Sequence, residues 1–200
     1  MVRPKGKTFM PKIDKSFIAP LRDLSRLLSK MKAKGVVIGG ISVGLLGEPR
    51  FTADIDAVLL LDFDKIEEFI KSTANYGFMP RIKDAVSFAQ RSHVILLVHK
   101  KSRIKIDLSI GLLPFEKETI ERSKKFKVDG VTFHIPSPED LIIMKAVAHR
   151  PKDLEDIRSI VVSQKKLDAT RMKYWITEFA KVLEMPEIWD DVKKLLARRK

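Results

Sequence analysis

The segment VVIGGISVG, residues 36–44, and the segment RFTADID, residues 50–56, decide which fold we expect for this chain. The first segment predicts a short buried strand that ends at Gly39-Gly40, followed by a helix over residues 41–46. Glycines at a strand end that precedes a helix let an anion approach the backbone N–H groups closely. We therefore expect a phosphate-binding turn here, with the Ser42 hydroxyl as a further donor.

The second segment places two carboxylates at the start of another strand, predicted over residues 55–61. Asp54 and Asp56 lie two positions apart, so their side chains project from one face while Ile55 projects from the other. At roughly 3.3 Å per residue the two carboxylates lie about 6.6 Å apart along the strand. Such a pair can converge on one or two hard cations, because divalent cations such as Mg²⁺ prefer oxygen ligands.

A third carboxylate, Asp107, interrupts a predicted strand over residues 103–110 whose Ile104 and Ile106 share the opposite face. A buried, unpartnered carboxylate is costly, and a bound cation would be its natural partner. Strand pairing could bring Asp107 beside Asp54 and Asp56, which would complete a cluster of three acids.

The remaining pattern predicts a mixed α/β protein of the α+β kind. We expect a loose arm over residues 1–12, a helix over 16–33, a helix from about 62 to 75, consecutive strands over 86–111, and a hairpin with strands 126–128 and 131–135. Beyond Pro136 the sequence reads as helices over 138–149, 152–162, about 168–183 and 187–198. The predicted organisation is an arm and helix (1–34), a core with a mixed sheet and flanking helices (35–136), and a C-terminal helical region (137–200).

Composition limits the alternatives. The 200 residues carry a formal net charge of +13, are 44% hydrophobic and include no cysteine. The absence of cysteine excludes disulfides, thiolate metal sites and thiol nucleophiles. The apolar runs are too short to span a bilayer and no signal core follows the basic start, so we expect a cytoplasmic protein without membrane contact. The positive charge favours nucleotide or nucleic-acid partners, although lysine-rich proteins of hot environments need no such partner.

The ordered residues Gly39, Gly40, Asp54, Asp56 and Asp107 resemble the nucleotidyltransferase superfamily of the polymerase-β type. The sequence is most similar to the minimal prokaryotic and abortive-infection (AbiEii-type) members. This similarity lies in the spacing Arg50-x-Thr52-x-Asp54-x-Asp56, in Lys145 and in the segment from Arg150 to Asp156. The resemblance covers roughly residues 36–160.

The resemblance implies a reaction and roles for individual residues. Asp54 and Asp56 would bind two Mg²⁺ ions (or Mn²⁺), and Asp107 would bind the ion that activates an acceptor hydroxyl for attack on the α-phosphate of a nucleoside triphosphate. It also implies nucleotide contacts from Lys145, while Arg50 would steady either the loop or the triphosphate, and Asp153 would anchor Lys145 or Arg50. The implied nucleotide-binding set is Gly39, Gly40, Ser42, Arg50, Thr52 and Lys145.

The sequence does not identify the molecule whose hydroxyl would accept the nucleoside monophosphate. Basic clusters around Lys100-Lys101, Arg122–Lys127 and the C-terminus favour an RNA or tRNA end. Two rival functions are a toxin–antitoxin component that modifies a hydroxyl of a partner protein, and a non-catalytic nucleic-acid-binding module on the same fold. A dinucleotide-binding fingerprint and a P-loop are excluded, because neither the glycine spacing nor a Lys-Ser/Thr pair fits.

Overall fold

The computed structural model describes residues 13–198 and contains a five-stranded mixed sheet, a two-stranded sheet and helices on both sides of the main sheet. The predicted arm over residues 1–12 and the last two residues of the predicted basic C-terminus lie outside the described residues. The helices are α1 (Ile18–Lys30), α2 (Gly39–Leu46), α3 (Ile66–Thr73), α4 (Ala85–Ser92), α5 (Pro114–Glu121), α6 (Pro138–Ala148), α7 (Pro151–Ser163), α8 (Ala169–Leu183) and α9 (Glu187–Ala197). The strands are β1 (Lys34–Val37), β2 (Asp54–Leu60), β3 (Phe78–Pro80), β4 (Val94–His99), β5 (Lys105–Ile110), β6 (Lys124–Val128) and β7 (Val131–Ile135).

The main sheet has the strand order β1-β2-β5-β4-β3. Strands β2 and β5 pair in parallel, and the other three pairs are antiparallel. The predicted hairpin of β6 and β7 is confirmed by its antiparallel register, and β4 and β5, within the stretch predicted as consecutive strands, pair antiparallel as well. The mixed α/β class predicted from the sequence is therefore confirmed.

Alternation along β2, β4 and β5 gives this sheet one buried face and one partly open face. Ile55, Ile95, Leu97, Ile106 and Leu108 are almost completely buried on the first face, where α1 and α3 contribute Leu21, Leu24, Leu27, Ile66 and Phe69 to the same cluster. The acidic residues of β2 and β5 occupy the other face because they alternate with these apolar residues.

A second hydrophobic cluster lies among the C-terminal helices. Its fully buried members include Ile142, Ile143, Ile157, Ile160, Met172 and Ile176. Ser137 caps α6 by accepting a 3.1 Å bond from the Asp140 N–H, and Pro138 occupies the first turn, as the sequence predicts. Val43 of α2 belongs to this cluster, so the helical region packs directly on the helix that follows the glycine turn.

The prediction of consecutive strands over residues 86–111 is wrong at its beginning. Residues 85–92 form α4, which ends where His93 adopts a left-handed conformation with φ of 58°. The short strand β3 and helix α5 are further elements that the sequence pattern does not predict. Among residues 13–198 no helix combines the length and the apolar character that crossing a membrane requires.

Candidate active site

The glycine turn between β1 and α2 lies directly against the carboxylate of Asp56. Gly39 has a left-handed φ of +64°, and a Cβ atom at this position would overlap the Asp56 side chain. The Ile38 N–H donates a 2.8 Å hydrogen bond to the Asp56 carbonyl, which fixes the turn to β2. Only glycine therefore permits this close approach of the helix start to the carboxylate.

The register of β2 and β5 brings the second and third acids together. Asp56 lies opposite Asp107 in the parallel pair, and Asp54 lies opposite Lys105. Directly opposite residues share a face of the sheet, so all three carboxylates project to the partly open face. The predicted convergence of Asp107 with Asp54 and Asp56 on one sheet face follows from this pairing.

The electrostatic environments of Asp56 and Asp107 disfavour the ionised forms of these two carboxylates. Burial, followed by the charges of Asp54 and Asp107, raises the pKa of Asp56. Burial also raises the pKa of Asp107, against the opposing effect of the Arg81 guanidinium. Carboxylates with this shift are stabilised in their charged form by an added cation.

The loop before β2 is fixed by Arg50 and Thr52. Arg50 forms a bidentate pair with Asp156, through Nε at 2.7 Å and Nη2 at 3.0 Å, and its Nη1 donates to the Phe51 carbonyl. Thr52 Oγ1 donates to Asp54 Oδ1 at 3.1 Å. A Cβ at Gly40 would lie 2.6 Å from Thr52 Oγ1, so the second glycine makes room for this loop. Arg50 therefore connects this loop to α7, and its contact with a triphosphate stays a prediction.

Lys145 lies in a buried ionic cluster beside the site. Its Nζ contacts Asp153 Oδ1 and Asp156 Oδ2, each at 2.9 Å, and its side chain is 9% exposed. The predicted anchoring of Lys145 by Asp153 is confirmed. Burial raises the pKa of Asp153, but bonds from Arg150 and Lys145 outweigh it and hold that pKa below its usual value. The positive charge of Lys145 also acts on Asp56, where it opposes the larger effects of burial and of Asp54 and Asp107 that raise the pKa.

The Ser42 hydroxyl forms a hydrogen bond within the protein. The residue is fully buried in α2, and its hydroxyl donates a 2.7 Å hydrogen bond to the Val37 carbonyl. This bond ties the first turn of α2 to the end of β1. The hydroxyl thus supports the glycine turn, whereas the sequence pattern predicts that it donates to a nucleotide.

The acids fit a divalent cation by chemistry, although they are not gathered around one point. No three His, Asp or Glu side chains among residues 13–198 lie together at the spacing of a metal site. Asp107 accepts a bond from Arg81, and Asp54 accepts one from Thr52. The three residues nevertheless present carboxylate oxygens on one sheet face, and oxygen is the ligand type that Mg²⁺ and Mn²⁺ prefer. The raised pKa values of Asp56 and Asp107 show that these two carboxylates lack a sufficient cationic partner within the protein.

Two cationic residues near the acids are absent from the sequence prediction. Arg81 follows β3 and bonds Asp107. The charge of Lys152, in the first turn of α7, partly opposes the rise in the pKa of Asp56 that burial causes. No local motif marks Arg81, because strand pairing across β4 brings it to the site. Lys152 lies inside the Arg150–Asp156 segment that the family resemblance includes.

A glycine turn that faces an Asp-x-Asp strand, with a third aspartate on the adjacent parallel strand, is the arrangement that the resemblance to nucleotidyltransferases implies. The family comparison agrees, since residues 16–197 match a family described as nucleotidyltransferase of unknown function (DUF6036). The chain belongs to this family and is a nucleotidyltransferase. The finer relation to AbiEii-type members is not established by this match.

Solved structures support the fold assignment. An antigenic nucleotidyltransferase-like protein from Paracoccidioides brasiliensis superposes with a TM-score of 0.57 at 13% identity, over 90% of this chain and 94% of that chain. The antibiotic-resistance factor ANT(2'')-Ia superposes with a TM-score of 0.58 at 13% identity, over 87% of this chain and 97% of that chain. Among curated protein sequences, none matches this chain.

Proposed function

We propose that this protein transfers a nucleoside monophosphate from a nucleoside triphosphate to an acceptor hydroxyl in a reaction that depends on Mg²⁺ or Mn²⁺. The observation that carries the proposal is the position of Asp56, which lies against the Gly39 turn and opposite Asp107. A phosphate-binding turn and metal-binding carboxylates are the two parts that such a transfer needs within one short distance.

In the proposed reaction the acceptor oxygen forms a bond to the α-phosphorus, and the bond from that phosphorus to the bridging oxygen breaks. The acceptor loses its proton, and pyrophosphate leaves with the electron pair of the broken bond. Asp54, Asp56 and Asp107 would hold the divalent cations, which supply Lewis-acid stabilisation of the attacking and leaving oxygens. The N–H groups at the start of α2 would face the phosphates, and Arg50 and Thr52 would keep the acid-bearing loop in place.

An RNA 3' end is the acceptor that the charge distribution favours. The turn between β4 and β5 carries Lys100, Lys101 and Arg103 and directly precedes the strand that bears Asp107. Clustered Lys and Arg side chains bind phosphate backbones by counterion release. The net charge of +13 agrees with such an acceptor.

A hydroxyl of a small molecule is the second candidate acceptor. ANT(2'')-Ia has been solved in complex with adenylyl-2''-tobramycin and superposes with a TM-score of 0.55 at 14% identity, over 81% of this chain and 95% of that chain. The resemblance to abortive-infection members favours a third candidate, a hydroxyl of a toxin–antitoxin partner protein. These acceptors are separate arms of one experiment.

The test incubates the protein with Mg²⁺ and each of the four α-labelled nucleoside triphosphates. Parallel arms contain bulk RNA, total cell protein or an aminoglycoside as acceptor. We expect label transfer in one arm, abolished by Asp56→Asn and by Asp107→Asn. Asp64→Asn is the matched control, because Asp64 is an exposed aspartate outside the acid cluster.

The proposal is wrong if the wild-type protein transfers no label in any arm and binds no triphosphate in Mg²⁺ titrations. The RNA arm has its own criterion, which is the salt dependence of RNA affinity. Binding through phosphate contacts weakens steeply as salt rises, so an affinity that stays flat would exclude this acceptor.

A further inference from the structure

Arg81 belongs to a row of residues that crosses four strands on the open face of the sheet. The Arg81 N–H donates a 2.9 Å hydrogen bond to the Leu96 carbonyl, which continues the β3–β4 pairing by one residue. Leu96 lies opposite Asp107 on β5, and Asp107 lies opposite Asp56 on β2. The backbone therefore directs Arg81 and the two acids to one line across the sheet.

The guanidinium of Arg81 reaches across β4 and bonds the carboxylate of Asp107. Its side chain is 24% exposed, so the pair is partly shielded from solvent. Among residues 13–198 Asp107 has no other ion-pair partner, and Asp54 and Asp56 have none. Arg81 is thus the cation that contacts the acid cluster directly.

The same contact occupies an oxygen of the Asp107 carboxylate. A carboxylate oxygen that accepts a charged hydrogen bond from arginine is engaged by a positive charge, which a divalent cation would have to displace. This agrees with the finding that no three acids among the described residues are gathered at metal-binding spacing.

We propose that Arg81 competes with the divalent cation for Asp107 and so keeps the metal affinity of the free protein low. This inference rests on the proposed function, because it assumes that the three acids bind the metal. A bound triphosphate offers the guanidinium phosphate oxygens as alternative partners, which arginine contacts in bidentate fashion. Metal and triphosphate then bind cooperatively, because the triphosphate frees Asp107 for the metal.

The test measures Mn²⁺ binding by titration and electron paramagnetic resonance, without and with a non-hydrolysable ATP analogue. We expect Arg81→Met to bind Mn²⁺ about tenfold more tightly than wild type in the absence of nucleotide. In the same variant the analogue should improve Mn²⁺ affinity less than it does in wild type. Arg81→Lys, which keeps the charge, should remain closer to wild type in both measurements.

Arg91→Met is the matched control for the loss of one positive charge. Arg91 is an exposed residue of α4 whose guanidinium contacts Ser87 rather than the acids. Its replacement should leave Mn²⁺ affinity unchanged. Thermal unfolding of each variant verifies that it is folded before its metal affinity is compared.

The sign of the effect decides the inference. If Arg81→Met binds Mn²⁺ equally or more weakly than wild type, Arg81 does not compete with the metal, and weaker binding would mean that it positions Asp107 for the metal. Failure of the proposed function has a different result, since then the wild-type protein binds no Mn²⁺ with or without the analogue. That result overturns both proposals.

Discussion

Two groups of aspartates lie within the same site and behave in opposite ways. Asp153 and Asp156 are buried, at 0% and 3% exposure, and the pKa of Asp153 is lowered. Asp56 is more exposed than either, yet its pKa is raised. Burial opposes the ionisation of both Asp153 and Asp56, so the difference between their pKa shifts comes from their partners.

Asp153 and Asp156, which we call the helical group, are paired with cationic side chains of the protein itself. Lys145 contacts both Asp153 and Asp156, and Arg150 and Arg50 each add a further contact to one of them. Among residues 13–198 the sheet group, which consists of Asp54, Asp56 and Asp107, forms an ion pair with a single cation, Arg81. A balanced group of charges holds elements of the fold together, whereas an unbalanced group is suited to bind a cation from solution.

The largest expected effect is a loss of stability when the helical group loses one of its cationic partners. Lys145→Met keeps much of the side-chain volume but leaves two buried carboxylates without their ammonium partner. Removing one partner of a buried ion pair costs about 3–5 kcal/mol, and we expect a loss of that size in the free energy of unfolding. Urea denaturation at neutral pH measures it.

Lys173→Met is the control for this prediction, because Lys173 is exposed on α8. It should leave the free energy of unfolding nearly unchanged, as surface substitutions usually do. If Lys145→Met and wild type had equal free energies of unfolding, the buried ionic cluster would not stabilise the fold, and the contrast with the sheet group would be wrong.

The next effect has the opposite sign and concerns the sheet group. Asp56→Asn removes one of the close like charges while keeping the shape of the side chain. Charges about 4 Å apart interact by about 1 kcal/mol or more, so we expect unfolding to cost about 1 kcal/mol more in the variant than in wild type. Chemical denaturation at neutral pH in the presence of a chelator measures this gain, and a loss of stability would contradict it.

Local sequence patterns account for most of the fold and for the acids. Gly39, Asp54 and Asp56 lie within one short segment, where strand alternation and glycine chemistry are sufficient to place them. Asp107 is predicted because a charged residue interrupts an apolar strand. The helix over residues 85–92 is missed because Val86 and Phe88 alternate like a strand, while the contact of buried Ala89 with the core, which only the fold provides, favours the helix.

The partners of these acids are less accessible to sequence reasoning. Arg81 reaches Asp107 only through the pairing of β3, β4 and β5, and a short strand such as β3 has no strong pattern of its own. The family resemblance correctly suggests an anchor for Lys145, but the buried state of that lysine depends on how α6 packs on α7. Contacts between distant segments therefore mark the limit of the sequence prediction.

The smallest expected effect is the change with pH in the stability that the helical group contributes. The pKa of Asp153 is lower in the folded protein than its ordinary value of about 3.9, so its ionisation stabilises the fold above that pH. This stabilisation is lost as the pH falls through the lower, folded-state pKa. Asp153→Asn lacks the titrating group, so the stability difference between wild type and variant should be largest at neutral pH and shrink in acid. Urea denaturation over a pH series measures this difference. Asp64→Asn is the control, and its stability should stay close to that of wild type because the residue is exposed. A wild-type advantage over Asp153→Asn that stays constant into acid would mean that packing at this position, rather than the charge of the carboxylate, stabilises the helical group.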